Sequence, residues 1–166
     1  MVLEKCEHNH YTRQCRICHG KDICSHDRRH YECISCNPHK FLYKLHRNAV
    51  NFCYYKINKE RDKDHLHLLG LESSEQLYDY LKSKMTEDMD FNNNDIAIDH
   101  IKPKSRFDLN NEEELKKCLH YTNLQPMLKK NNSKKYNKWT NKDEEFWNEN
   151  IIFNPSYKNI YFPINY

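Results

Sequence analysis

Cys6, His8, Cys15 and Cys18 are followed eighteen residues later by Cys24, His26, Cys33 and Cys36. When residues 6–20 are aligned with 24–38, these four pairs are the only identities among fifteen positions. Each unit reads C-x-H-x6-C-x2-C, and four nitrogen and sulfur ligands suit one tetrahedral zinc. A repeat kept only at such residues points to a unit held together by metal, which then supplies most of its folding free energy. A second chemical feature is the pair Asp99-His100 in IAIDHIKPKSRFDL (96–109). An imidazole that is neutral near pH 7 suits a general base. By itself, an Asp-His pair is equally at home at the end of an ordinary strand.

The elements that must carry these residues follow from patterning. Residues 1–40 hold the two zinc units. Whether each zinc sits within one unit or is shared between them does not follow from spacing. His10, His19 and His30 break the repeat and are assigned to the surface or to a nucleic-acid-facing side. Arg13, Arg16, Arg28 and Arg29 could turn a purely structural module into one that touches DNA. Residues 41–94 read as helical. Apolar residues at 41, 42, 45, 49, 50, 53, 54 and 57 have helical spacing over 40–59. KERDKDH (59–65) reads as a solvated turn. Ser73 and Gln76 form a capping box opening a helix with Leu77, Tyr80, Leu81 and Met85 on one face. Asn92, Asn93 and Asn94 read as a turn. Cys53 and Cys118 read as core thiols. Residues 96–99 then alternate as a short strand ended by Pro103. Asn110 or Asn111 caps an acidic helix, NLQPM (123–127) is strand-like but broken by Pro126, and 128–139 read as a basic helix.

The order Asp99-His100, Asn123-Leu124-Gln125, then Asn132 with Lys135 resembles the HNH endonucleases, the ββα-metal nuclease family. IDHIKPKSRFDL and HYTNLQPM are similar to phage and giant-virus members, many of them homing or stand-alone mobile enzymes. The likeness runs from about Ile96 to Trp139, and more weakly upstream to about Leu68. The third family position falls nine residues beyond Asn123, on Asn132, giving an H-N-N variant; His120 precedes Asn123 and does not serve. The resemblance implies an α+β protein with a ββα-metal core over 95–139 and a C-terminal extension over 140–166. It implies His100 as general base, Asn123 fixing His100 and the loop between the strands, and Lys134 and Lys135 holding phosphate. Asp99 and Asn132 offer hard oxygen ligands, which select Mg²⁺ or Mn²⁺. Adjacent strand residues face opposite ways, so Asp99 and His100 need a bend to act together. The expected activity is hydrolysis of DNA to 5′-phosphate and 3′-hydroxyl ends, one nick per site, with duplex DNA as substrate and RNA left open. The rival reading is a non-catalytic zinc protein that binds nucleic acid through a relic core.

Bulk properties bound these readings. Hydrophobic content is 37% in 166 residues and mean hydropathy is −1.10, which predicts a small, subdivided core. Aromatic content of 13% argues against disorder. No apolar run is long enough for a membrane span, and the N-terminus lacks the apolar segment of a signal peptide. With six of eight cysteines inside residues 6–36, an intracellular, reducing location favours metal sites over disulfides. The net charge of +3 is mild, but residues 127–139 carry five lysines and no acid. Trp139, Phe146 and Trp147 are expected as core anchors, His120 and Tyr121 under the motif, and the tail from 151 as a strand pair or arm over the core.

Overall fold

In the computed structural model, which describes residues 4–61, 64–91 and 95–154, each Cys/His unit begins with a tight reversal. The Cys6 amide donates to the His10 carbonyl and the Cys24 amide to that of Arg28, both at 2.8 Å. The turn residues are Asn9 (φ 58°) and Asp27 (φ 54°), types that tolerate the left-handed region through their short polar side chains. One turn of 3-10 helix follows in each unit, Thr12–Gln14 and His30–Glu32. The first unit closes on itself at Gly20, where a β-carbon would lie 2.2 Å from the Thr12 carbonyl oxygen. Only glycine lets the backbones approach that closely.

The second unit runs directly into helix α1 (Pro38–Lys56), with Pro38 in the first turn and the Asn37 side chain accepting from the Lys40 amide. Lys44 ties the helix back to Glu32 at 2.5 Å. The helix starts two residues earlier than its apolar pattern suggests and ends at Lys56. It buries Leu42, His46, Val50, Cys53 and Tyr54, while Leu45 and Phe52 stay exposed. The charged run after it is followed by a short helix α2 (His65–Leu69) that ends on Gly70 at φ 75°. Helix α3 (Ser74–Ser83) opens on the Ser73/Gln76 capping box and buries Leu77 and Leu81.

Strand β1 (Ile96–His100) pairs antiparallel with β2 (Leu124–Leu128), with Asp99 opposite Gln125 and His100 opposite Leu124. Helix α4 (Glu112–Leu119) lies between them in sequence, capped by Asn111, with three glutamates in its first turn. Pro126 does not break β2. It lies opposite Ile98, and in a two-stranded sheet both strands are edges, where a missing amide is tolerated. Helix α5 (Lys129–Lys135) follows β2 at once, and α6 (Asn141–Asn150) opens on a Thr140/Asp143 capping box. The basic helix expected to reach 139 stops at Lys135. The described fold is thus α+β: helices around one two-stranded sheet, with the Cys/His units at the N-terminal end.

The core is divided in three. Leu42, Leu69, Leu77, Leu81, Phe91 and Leu124 form one cluster, Val50, Cys53, Tyr54, Leu115 and Leu119 a second, and Ile101, Phe107, Cys118, Trp147 and Ile151 a third. Cys53 and Cys118 are both buried, as core thiols are. Trp147 anchors the third cluster, against which Trp139 packs, whereas Phe146 is exposed. The rings of His120 and Tyr121 lie in tilted contact beside β2, their centroids 4.7 Å apart. Among the described residues no helix is long and apolar enough to cross a membrane. The asparagine turn at 92–94 and the tail beyond 154 lie outside the described residues.

Candidate metal centres and a candidate active site

Zinc–sulfur bonds of about 2.3 Å and zinc–nitrogen bonds of about 2.0–2.1 Å at tetrahedral angles require nitrogen–sulfur edges of about 3.6 Å. His8 Nδ1 lies 3.8 Å from Cys6 Sγ, 3.8 Å from Cys15 Sγ and 3.3 Å from Cys18 Sγ. His26 Nδ1 lies 3.9 Å from Cys24 Sγ, 3.6 Å from Cys33 Sγ and 3.4 Å from Cys36 Sγ. Within each set all ligand atoms fall within 4.8 Å of one another. Each unit is therefore shaped to hold one structural zinc by itself, through histidine Nδ1, and ligands are not shared between units. His10, His19 and His30 belong to neither set and are exposed. Of the four arginines, Arg13 pairs with Asp22 at 3.0 Å and Arg29 donates to the Tyr31 hydroxyl at 2.8 Å. Arg16 and Arg28 are exposed.

Asp99, His100 and Asn132 line one cavity of about 490 Å³, together with Phe52, Lys56, Lys104 and Tyr136. The strand continues through His100, so no bend brings the pair together; the cavity instead passes the end of the strand and meets both residues. On the Asp99 side, Gln125 Nε2 donates to Asp99 Oδ2 at 2.9 Å across the ladder, and Lys135 Nζ donates to the same oxygen at 2.5 Å and to the His100 carbonyl. The structure thereby gives Lys135 a different place from the one its motif position suggests. It is 2% exposed, clamped to the strand end, and not presented to a phosphate. Burial pushes the Asp99 carboxyl up and the Lys135 ammonium down, while their pairing pulls each back. Lys134 is exposed. Asn132 makes no side-chain hydrogen bond among the described residues, and its amide is free to face the cavity.

Removing the Lys135 charge leaves a buried carboxylate without its partner. Lys135→Met is expected to lower stability by about 3–5 kcal/mol. Adding Asp99→Asn removes the orphaned charge and should recover part of that loss, a coupling read from urea midpoints of the four proteins in a double-mutant cycle.

Asn123 is fully buried and uses its whole amide. Its Oδ1 accepts from the Lys102 amide and from Trp147 Nε1, both at 2.9 Å, and its Nδ2 donates to the carbonyls of Cys118 and Lys102. It therefore staples the chain leaving β1 to the chain entering β2 and to α6. That is the loop-fixing part of the expected role. The His100 ring is positioned by another residue. His46 of α1 stacks on it with centroids 5.6 Å apart and planes 26° from parallel. His46 Nδ1 in turn lies 3.1 Å from His65 Nε2. His46 Nε2, His65 Nδ1 and His100 Nε2 are buried without a hydrogen-bond partner.

Burial, reinforced by the neighbouring His46, Lys104 and Lys135 charges, holds His100 well below the ordinary histidine range. Its imidazole is thus neutral at pH 7. Burial and His65 pull His46 down to about 3, and burial first, with Arg61, pulls His65 down to about 4. The unfolded chain takes up these protons near the ordinary histidine value, so it binds more protons than the folded chain at mildly acidic pH. Stability from these two groups is complete above that value and falls as pH drops from about 6.5 toward about 4 for His65 and about 3 for His46. Wild type should lose more of its urea midpoint between about pH 7.5 and about pH 5 than His46→Leu/His65→Leu does. Acid-driven zinc release occurs in both proteins and cancels in the comparison.

No protein-family model matches the chain, and no curated protein or solved structure matches it either. The residues that sequence reasoning missed at this site are His46 and His65, from elements far upstream in sequence. The only signal was a histidine at a core position of an amphipathic helix, which is as common in ordinary cores.

Proposed function

We propose that the chain is a metal-dependent nuclease of the HNH type that nicks DNA at the Asp99–His100 cavity. The observation that carries this reading is the convergence on one cavity of a neutral histidine, a carboxylate and an unengaged amide, with lysines beside them. The order strand, strand, basic helix supports it. His100 accepts the proton of the attacking water as it approaches phosphorus. Lys104 and Lys56 attract the phosphate backbone, the salt-sensitive part of affinity. Asn123 keeps the two strand ends in register so that His100 and Asn132 stay on the same cavity.

The donor set fits a hard divalent cation. Asp99 and Asn132 bring carboxylate and amide oxygens to the cavity, and Mg²⁺ or Mn²⁺ prefers such ligands. When bound, the ion would supply neutralisation of charge building on the phosphate and the leaving 3′ oxygen. Lys135 and Gln125 both hold Asp99 Oδ2, so they orient the carboxylate and leave its other oxygen for the cation.

That same pair favours a second reading. An acid already neutralised by a buried ammonium suits a retired site, used for docking nucleic acid without cutting it. Supercoiled plasmid incubated with the protein and Mg²⁺, Mn²⁺, no added divalent cation or EDTA, beside a gel shift of the same DNA, separates the two. Nicking that needs the cation supports the nuclease. Binding with no nicking supports the relic. Nicking that persists in EDTA overturns both the cation and the HNH assignment.

A further inference from the structure

Two aromatic rings at the mouth of the His100 cavity have no structural work to do. Phe52 on α1 is 49% exposed and Tyr136, just past α5, is 76% exposed, and both line the cavity. An exposed phenylalanine buries no core, yet Phe52 carries the ammonium groups of Lys56 and Lys104, each 5.4 Å from its ring centre. Tyr136 holds a backbone that side chains avoid, φ 50° with ψ −117°, outside the small left-handed region open to non-glycine residues. Strain of this kind persists where the surroundings impose it and is concentrated at functional sites.

We propose that Phe52 and Tyr136 form a stacking platform for an unpaired nucleotide next to the bond that His100 addresses. The ligand chemistry is a flat base with both faces free, on a strand whose phosphates meet Lys56 and Lys104. Aromatic side chains stack on any base, but only where the base is not already stacked in a duplex. A cavity of about 490 Å³ is within the range of small-molecule sites, roughly 300–1,000 Å³. The platform thus narrows the substrate class of the proposed nuclease from plain duplex to single strands, bulges or other sites with an extruded base. For cleavage the inference rests on the nuclease reading; for binding it stands apart from it.

The test uses the full zinc-loaded chain and 2-aminopurine oligonucleotides of DNA and of RNA, each single-stranded, bulged or fully paired. With Mg²⁺ and Mn²⁺ omitted, stacking on the platform should change 2-aminopurine emission for unpaired probes and leave the paired probe unaffected. Unpaired probes should bind roughly ten-fold tighter than the paired one, and Phe52→Leu should remove most of that advantage. Tyr136→Gly relieves the strained backbone, so its unfolding midpoint should hold or rise while its affinity for unpaired probes falls. A merely structural tyrosine would not separate these two readouts. The DNA and RNA arms identify the strand. Binding preference without cleavage in Mg²⁺ or Mn²⁺ keeps the platform and retires the nuclease. Equal or tighter binding of the paired probe, or Phe52→Leu and Tyr136→Gly variants that bind unpaired probes as wild type does, overturns the platform and leaves the nuclease reading standing.

Discussion

His100→Ala is expected to lower Mg²⁺-dependent nicking of supercoiled plasmid by about 10²–10⁴-fold, the usual contribution of a general base. Binding, measured by gel shift with Mg²⁺ and Mn²⁺ omitted, should change little, because Lys56 and Lys104, the proposed backbone contacts, are left in place. The effect should come almost entirely through kcat, since a base acts on the water only as it attacks. Truncation of a buried ring opens space beside His46, so the variant must first be shown to fold, by its urea midpoint and zinc content. A second readout distinguishes chemistry from packing. The space left by the ring adjoins a cavity large enough to admit free imidazole, and added imidazole should restore part of the lost rate. A packing defect would not respond to it. Wild-type nicking by His100→Ala would remove the general base from the proposal, and with it the reason for assigning the cavity to hydrolysis.

The parts of this molecule that were legible in sequence are those encoded by local chemistry. The Ser73/Gln76 capping box, a cap at Asn110 or Asn111 and the apolar faces of α1 and α3 are set by residues three or four apart. The two candidate metal-ligand sets were readable because a repeat preserves them while everything else drifts. The repeat is in fact deeper than its identities. Asn9 and Asp27 occupy the same turn with φ 58° and 54°, and an identity count scores that shared chemistry as a mismatch. The candidate site was legible only where the family pattern reaches. Asp99, His100 and Asn132 do line one cavity. What sequence could not show is how distant elements meet. Lys135 has the composition of a phosphate ligand and the position of a core residue, because the turn of α5 that carries it packs on the strand end rather than facing solvent. His46 was hidden for the opposite reason: spacing placed it on the apolar face of α1, and nothing in the spacing says that this face meets His100. Pro126 looked like a strand breaker because sequence does not reveal how many neighbours a strand has.

The largest stability effect belongs to zinc. Structural zinc contributes on the order of 10–16 kcal/mol to the folding of a small site near neutral pH, comparable to the whole stability of an ordinary domain. The freshly purified protein should contain two zinc ions per chain, and chelation should unfold residues 4–37 as followed by amide exchange. Cys15 and Cys33 are the most buried cysteines of their units, 0% and 1% exposed, so Cys15→Ser and Cys33→Ser should each reduce the content to one zinc. Their consequences should differ. The first unit is tied to the segment that precedes the second by the Arg13–Asp22 pair. The second unit passes straight into α1 through Asn37 and is tied to it by Glu32 and Lys44. Losing its zinc therefore loosens the start of the helix that carries His46 to His100. Cys33→Ser should expose amides at the beginning of α1 and reduce nicking, whereas Cys15→Ser should leave both close to wild type. Equal damage from the two variants would mean that the module acts as one body, with the units supporting each other. A zinc-free protein whose thiols fail to titrate without reductant would mean that disulfides hold these eight residues instead.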